Sequence, residues 1–285
     1  MKVGIGLPSS LPGASPELLL EWARRADAGP FSSLSVLDRL VYRNYDSLIA
    51  LSAAAAVTQR IGLVVAVLLA PLRNAGVLAK QAATLDVLSG GRFSLGLAVG
   101  IREEDFQVAP ADYRRRGKQL DEQIALMKRV WAGETVASGE GVVGPTPATP
   151  GGPRLLIGGF ASAAIARVGQ CDGYIGGGTE PDREVAFRMA EEAWRANGRS
   201  GRPWLVANAR FGLGPEVQEA TTANIYHYYR TLGPSAEFRS KVYLSSSEAV
   251  RQTISELSDI GVDEILLSPG VPELEQIDRL ADLVG

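Results

Sequence analysis

The sequence predicts an α/β protein of the (β/α)8 TIM barrel type, a closed ring of parallel strands with a helix following each. Three observations predict it. Short apolar runs alternate eight times with amphipathic, helix-patterned segments along 285 residues. Regular alternation implies parallel strands joined by crossover helices, and such strands are covered on both faces; Phe93–Val99 (FSLGLAV) accordingly carries no charge. The length suits one large α/β unit, so residues 1–285 are taken as a single domain. Periodicity does not establish closure, and an open doubly wound sheet is the alternative.

The elements follow in order. Strand one, Lys2–Leu7, precedes a helix over Pro16–Ala28, where Ser15 supplies a capping hydroxyl before a first-turn proline. Strand two, Ser33–Leu37, is followed by the helix Tyr45–Thr58, and strand three, Gly62–Leu69, by Val77–Leu88. That third helix runs into Gly90 and Gly91, which can adopt the left-handed conformation that closes a helix, and Arg92 starts strand four, Phe93–Val99. The helix Arg116–Trp131 comes next. Ala137–Pro153, rich in glycine and proline, reads as a surface loop before strand five, Arg154–Ile157, and the helix Ser162–Val168. Strand six, Gly173–Ile175, leads to the helix Pro181–Ala196. After strand seven, Trp204–Phe211, the segment Val217–Leu232 forms a short helical excursion above the C-terminal face, where functional loops gather. Its tyrosines 226, 228 and 229 read as packing. The helix Glu248–Ile260, strand eight, Glu264–Leu267, and the helix Glu273–Leu283 complete the set.

Composition excludes several classes. A net charge of -3 and a pI near 5.4 provide no basic field for nucleic acid or anionic membrane. The longest apolar run, Ile61–Pro71, is too short for a spanning helix, and Met1–Gly6 lacks the pattern of a secretory signal. Cys171 is the only cysteine, so no internal disulfide forms, and a cytoplasmic protein is expected. Cys171 itself reads as a small buried thiol. The single histidine, His227, excludes a multi-histidine metal site, and no GxSxG elbow is present for a serine hydrolase.

Candidate chemistry gathers at the expected strand ends. Gly4–Ser9 (GIGLPS) nearly matches a dinucleotide fingerprint, but its helix starts too late and its acid, Asp38, is too distant. Gly158, Gly159 and Ala161 after strand five, and Gly176, Gly177 and Gly178 after strand six, each precede a helix. Neighbouring turns of this kind can expose backbone amides to one phosphate. Asp38 and Arg39 close strand two, read either as a site or as a structural ion pair, with Arg73 and Arg102 at the same rim. Glu103, Glu104 and Asp105 read as a solvated acidic turn. A glycine-lined phosphate pocket without strong acid–base groups suggests that an organic cofactor carries the reaction.

The segment Leu78–Phe106 (LAKQAATLDVLSGGRFSLGLAVGIREEDF) resembles the bacterial luciferase-like monooxygenase family, which includes flavin- and deazaflavin-dependent oxidoreductases. Lys80, Gln81, the turn Leu88–Arg92, Gly96 and Gly100 carry the resemblance; Arg114–Trp131, Leu155–Gly159 and Cys171–Gly178 agree with it. It implies a barrel holding reduced FMN, or coenzyme F420 in its place, across the C-terminal mouth. Phosphate contacts would then fall at Gly158, Gly159, Ala161 and the turn Gly176–Gly178, with the ring near Gly6, Asp38, Ala66, Val67 and Gly100. A non-proline cis bond in strand three would lie near Val67-Leu68. Many relatives carry a histidine after the strand-two aspartate, where this chain has Arg39. Proton transfer therefore passes to Asp38, Arg39 or Tyr42, with Arg39 and Arg73 orienting anionic groups. With no long insertion, the mouth is expected to be open. The resemblance implies oxidation or reduction of a small-molecule substrate, a flavin reductase or other electron donor as partner, and a homodimer. A flavin-binding protein without turnover, and a barrel isomerase or lyase acting on a phosphorylated metabolite, are the alternatives.

Overall fold

In the computed structural model, which describes residues 1–109, 111–135 and 141–285, eight strands close into a parallel barrel in sequence order. They are β1 (Lys2–Gly6), β2 (Ser33–Val36), β3 (Gly62–Leu69), β4 (Phe93–Ala98), β5 (Arg154–Gly158), β6 (Gly173–Gly177), β7 (Trp204–Phe211) and β8 (Glu264–Pro269). Closure is made by β8 pairing back on β1, from Lys2 opposite Glu264 to Ile5 opposite Leu267. The open doubly wound sheet is thereby excluded. The first residues of the expected surface loop, 137–140, lie outside the described residues.

Two apolar layers follow from the two-residue alternation of each strand. Val64, Ala66, Leu156, Ile175, Val206 and Leu266 fill the lumen. The intervening residues, such as Leu63, Val65, Leu95, Leu97, Ile157 and Leu205, face the surrounding helices. Gly96 belongs to the lumen set: a Cβ there would sit 2.4 Å from the Val65 carbonyl oxygen and 2.7 Å from Ile175 Cδ1. Close strand approach, not flexibility, is the reason for that glycine.

Helices α1 (Pro16–Ala28), α2 (Ser47–Ala56) and α3 (Ala75–Leu88) wrap the first half. Their starts are decided by caps. Asp46 Oδ1 accepts from the Leu48 and Ile49 amides at 3.0 Å, so α2 begins later than the apolar pattern predicts. Asn74 caps Val77 and starts α3 earlier than predicted. At its other end, Gly90 and Gly91 take φ values of 65° and 81°, and the Gly91 amide donates to the Asp86 carbonyl at 2.8 Å. Arg92 then donates to the carbonyls of Ser89 and Ile61 at 2.8 Å and of Thr58 at 3.1 Å, strapping α2 and α3 to the N-terminal base of the barrel.

The remaining helices are α4 (Glu103–Val108), α5 (Arg116–Trp131), α6 (Ser162–Ile165), α7 (Arg183–Ala196), α8 (Gln218–Tyr229), α9 (Ser235–Ser240), α10 (Ser247–Asp259) and α11 (Glu275–Val284). The expected helix over 162–168 is only four residues of α6 followed by a 3-10 turn. The excursion after β7 is the pair α8 and α9. Among the described residues, no helix is long and apolar enough to cross a membrane.

Candidate functional site at the barrel mouth

The chain leaving β2 buries Asp38 and Arg39 in succession. Asp38 accepts two hydrogen bonds from Arg73, at 2.7 and 2.9 Å, one from the Leu69 amide at 3.0 Å and one from Ser47 Oγ at 3.2 Å. Its carboxylate has no remaining lone pair directed at a ligand. Arg73 also pairs with Asp46 at 3.1 Å. Burial works against the Arg73 charge, but Asp38 and Asp46 outweigh it and raise its pKa above the usual arginine value. The expectation that Arg73 orients an anion is corrected here: its guanidinium already holds two carboxylates.

Arg39 is likewise engaged. Its Nε lies 3.1 Å from Asp105, and its Nη2 donates to Glu104 at 2.6 Å and to the Val41 carbonyl at 3.0 Å. Asp105 is 1% exposed and also accepts from the Val41 amide at 2.8 Å. The turn read as solvated and acidic is thus α4, with Asp105 buried against Arg39. That pairing spans 66 positions of sequence and left no local signal.

Tyr42 meets the chain's one histidine, delivered from α8, with Oη 3.0 Å from His227 Nδ1. The other ring nitrogen, Nε2, is 2.5 Å from Arg230 Nη1. A guanidinium can only donate, so Nε2 is the acceptor, Nδ1 carries the hydrogen and Tyr42 Oη accepts from it. The phenol keeps its own proton for another partner. Burial raises the Tyr42 pKa, opposed by the charges of Arg210, Arg230, Arg39 and Arg102. Burial, then Arg230 and Arg43, lowers the His227 pKa. Tyr228 packs edge-on against Tyr42, with centroids 5.2 Å apart, and Tyr229 against Tyr228 at 4.9 Å. The excursion therefore covers part of a mouth expected to be open, and it supplies a histidine the barrel strands lack.

Small residues line the neighbouring strand ends. The non-proline cis bond is Ala66-Val67, one position before the expected one. Val67 occupies the space that side chains at Gly158 and Gly96 would need, with Val67 Cγ1 2.7 and 3.1 Å from where their Cβ atoms would stand. Gly6 abuts Ser268 of β8, and Gly100, at φ 78°, abuts Phe106. Gly159 accepts from Tyr174 Oη at 2.8 Å, and Ala161 opens α6 without a side-chain cap.

The β6 turn departs from expectation. Gly176 looks outward, where a Cβ would lie 3.1 Å from Phe187 of α7. Over Gly177 the Glu180 carboxylate fills the hollow, 1.7 Å from where a Cβ would stand, and it accepts from the Thr179 amide at 3.3 Å. The Gly178 amide is bonded to the Asn208 carbonyl at 2.9 Å. Of the two glycine turns read as one phosphate grip, the β6 turn is filled by the protein's own anion. Elsewhere Cys171 is buried, and burial pushes its thiol up to about 12. Among the described residues, no cluster of histidine, cysteine and carboxylate side chains is placed to hold a metal.

All of the chain, residues 1–285, matches the family model of luciferase-like monooxygenases. The chain belongs to that family. This luciferase-like chain is 30% identical over 207 residues to an uncharacterized protein of Mycobacterium tuberculosis, covering 61% of this chain and 72% of that one. Solved structures that share the fold include three of note. The monooxygenase RslO1 from Streptomyces bottropensis has a TM-score of 0.80 and 21% identity, covering 99% of this chain and 97% of that one. An F420-dependent secondary alcohol dehydrogenase, solved with an F420-acetone adduct, has a TM-score of 0.80 and 18% identity with both chains fully covered. The oxygenating constituent of 3,6-diketocamphane monooxygenase of Pseudomonas putida, solved with FMN, has a TM-score of 0.77 and 15% identity, covering 100% and 98%. The family model is that of luciferase-like monooxygenases, and these neighbours include one solved with an F420-acetone adduct and one with FMN.

Proposed function

We propose that the chain is an oxidoreductase acting on a small organic molecule with reduced FMN, or F420 in its place, held across the C-terminal mouth. The observation that carries this reading beyond the family is the Tyr42–His227 pair. A phenol with its oxygen occupied by His227 Nδ1–H, and its proton free, stands under α8 at the rim of the barrel.

The residues present fit a flat cofactor at one end. Gly6, Ala66 and Gly100 offer little or no side chain where the ring is expected. The first amides of α6 lack a side-chain cap near Gly158, Gly159 and Ala161, which suits an anionic tail. The β6 turn does not fit one, so the phosphate is assigned to the β5 turn alone. When bound, such a cofactor supplies the redox equivalents. Tyr42 positions or protonates the substrate through Oη, while His227 and Arg230 orient that hydroxyl. Asp38 and Arg73 hold the β2 and β3 ends in place. The strands and α8 together restrict water at the reacting atoms.

The test is a visible-absorbance and fluorescence titration of the purified chain with FMN, F420 and a sugar phosphate. Binding of one tricyclic cofactor with substrate-dependent oxidation or reduction is the expected outcome. Binding of the sugar phosphate alone favours the isomerase or lyase reading and removes this one; tight cofactor binding with no turnover across substrates favours a carrier.

A further inference from the structure

The cover formed by α8 closes over a set of charges that the reading above does not use. Arg39 rises after β2 and Arg102 after β4, while Arg210 lies near the end of β7. Their guanidinium carbons are 5.7, 5.1 and 4.9 Å from the centroid of one ring, that of Tyr228. By strand alternation Arg210 shares the face of Val206, which packs in the lumen, so its side chain stands over the barrel interior.

The negative charge beside this set is unevenly placed. Glu104 and Asp105 both pair with Arg39. Among the described residues, the Arg102 guanidinium has one hydrogen bond, from Nη2 to the Tyr228 carbonyl at 3.3 Å, and the Arg210 guanidinium has neither a hydrogen bond nor an ion pair. Two buried nitrogens of this set, Arg39 Nη1 and Arg102 Nε, have no partner among the described residues. The Arg39 side chain is 2% exposed and Arg102 is 9% exposed. A guanidinium cannot shed its proton, and buried N–H donors without an acceptor are strongly disfavoured. Stacking on Tyr228 compensates for charge but accepts no N–H bond in the guanidinium plane. An oxyanion satisfies both requirements. Planar donors from separate strands, fixed by packing, recognise carboxylate or phosphate oxygens with defined geometry.

We infer that Arg39, Arg102 and Arg210 form a binding site for a carboxylate or phosphate ester beneath Tyr228, and that the substrate carries this anion. The assignment of the anion to a substrate rests on the proposed oxidoreductase activity; the anion site itself does not. Glu104 and Asp105 orient Arg39, leaving Nη1 for the ligand.

Calorimetric titration of the full chain with inorganic phosphate, and separately with succinate, tests the site. Saturable binding of at least one is expected, weakening as salt is raised. Arg210→Met and Arg102→Met should each weaken it about tenfold or more, since each removes a charge-assisted donor. Arg210→Lys should recover part of the loss, which a purely packing role would not produce. Should Arg102→Met fail to fold, Arg210→Met keeps the test intact, because the Arg210 guanidinium makes no hydrogen bond among the described residues and its backbone bond to Leu244 survives the substitution. Repeating the titration on the chain loaded with FMN or F420 separates the two sources of the anion. Persistence of binding assigns it to the substrate; displacement, with Arg210→Met weakening FMN but not riboflavin, assigns it to the cofactor tail and overturns the substrate assignment. Absence of anion binding, or binding that both methionine variants leave within about twofold, overturns the site while leaving the oxidoreductase reading standing. Arginine-dependent anion binding by a chain that takes neither cofactor does the reverse.

Discussion

Asp38 holds Arg73 at two points, Oδ2 to Nη1 at 2.7 Å and Oδ1 to Nη2 at 2.9 Å, and the same carboxylate accepts from the Leu69 amide. The ends of β2 and β3 are thereby tied through one buried anion. A residue whose type and place suggest proton transfer is, by its hydrogen bonds, the anchor of the rim.

Asp38→Ala should therefore act first on stability. It leaves Arg73, 21% exposed, beside an emptied site and leaves the Leu69 amide unpaired. A loss of about 3 kcal/mol is expected on urea unfolding, with a smaller loss for Asp38→Asn. Near-normal stability with abolished turnover would instead return Asp38 to chemistry.

Tyr42→Phe removes the hydroxyl that His227 orients while keeping the ring packed on Tyr228. Turnover should fall about a hundredfold, the usual scale for a positioned proton donor, with cofactor affinity unchanged. Equal kcat in the two proteins would reduce Tyr42 to a packing residue.

Glu180→Gln should tighten binding of a phosphate-bearing cofactor. The carboxylate over Gly177 repels any anion brought to the β5 and β6 turns. Removing one such charge near the protein surface is worth about tenfold in affinity. Fluorescence titration with FMN, with riboflavin as the control lacking phosphate, reads the effect. Equal affinity of wild type and variant for FMN would place the phosphate elsewhere.

His227 should titrate below its ordinary 6.5, because burial and the charges of Arg230 and Arg43 disfavour the imidazolium. Between that lowered value and 6.5 the unfolded chain binds more protons than the folded one. Stability therefore rises with pH through this window; the contribution is complete above 6.5 and lost as pH falls toward the folded value. As the only histidine, its ring protons can be followed by NMR without assignment. Arg230→Ala should move the midpoint upward, and a wild-type midpoint above 6.5 would contradict the packing of α8 on Tyr42.

The legible part of this protein is the part written in local pattern. Eight strand–helix units, the capping Ser15 and the Gly90-Gly91 helix stop each follow from residues close together in the chain, and all are present in the fold. The turn Leu88–Arg92, which carried much of the family resemblance, lies at the N-terminal base of the barrel, where Arg92 straps helices together. It reports the fold and touches no chemistry. The strand order, too, is nearly implied by regular alternation, since crossover connections place successive strands side by side.

What only the tertiary structure decided is the partner of each charged group. Asp38 and Arg73, Arg39 and Asp105, and Tyr42 and His227 are joined across 35, 66 and 185 positions, and Arg210 and Arg102 are brought together over the rings of Tyr228 and Tyr229. Hydrophobic period is a property of neighbours along the chain, so sequence alone determines where strands and helices lie. The state of a carboxylate or guanidinium depends on which opposite charge and how little water surround it, and closure of the barrel sets both.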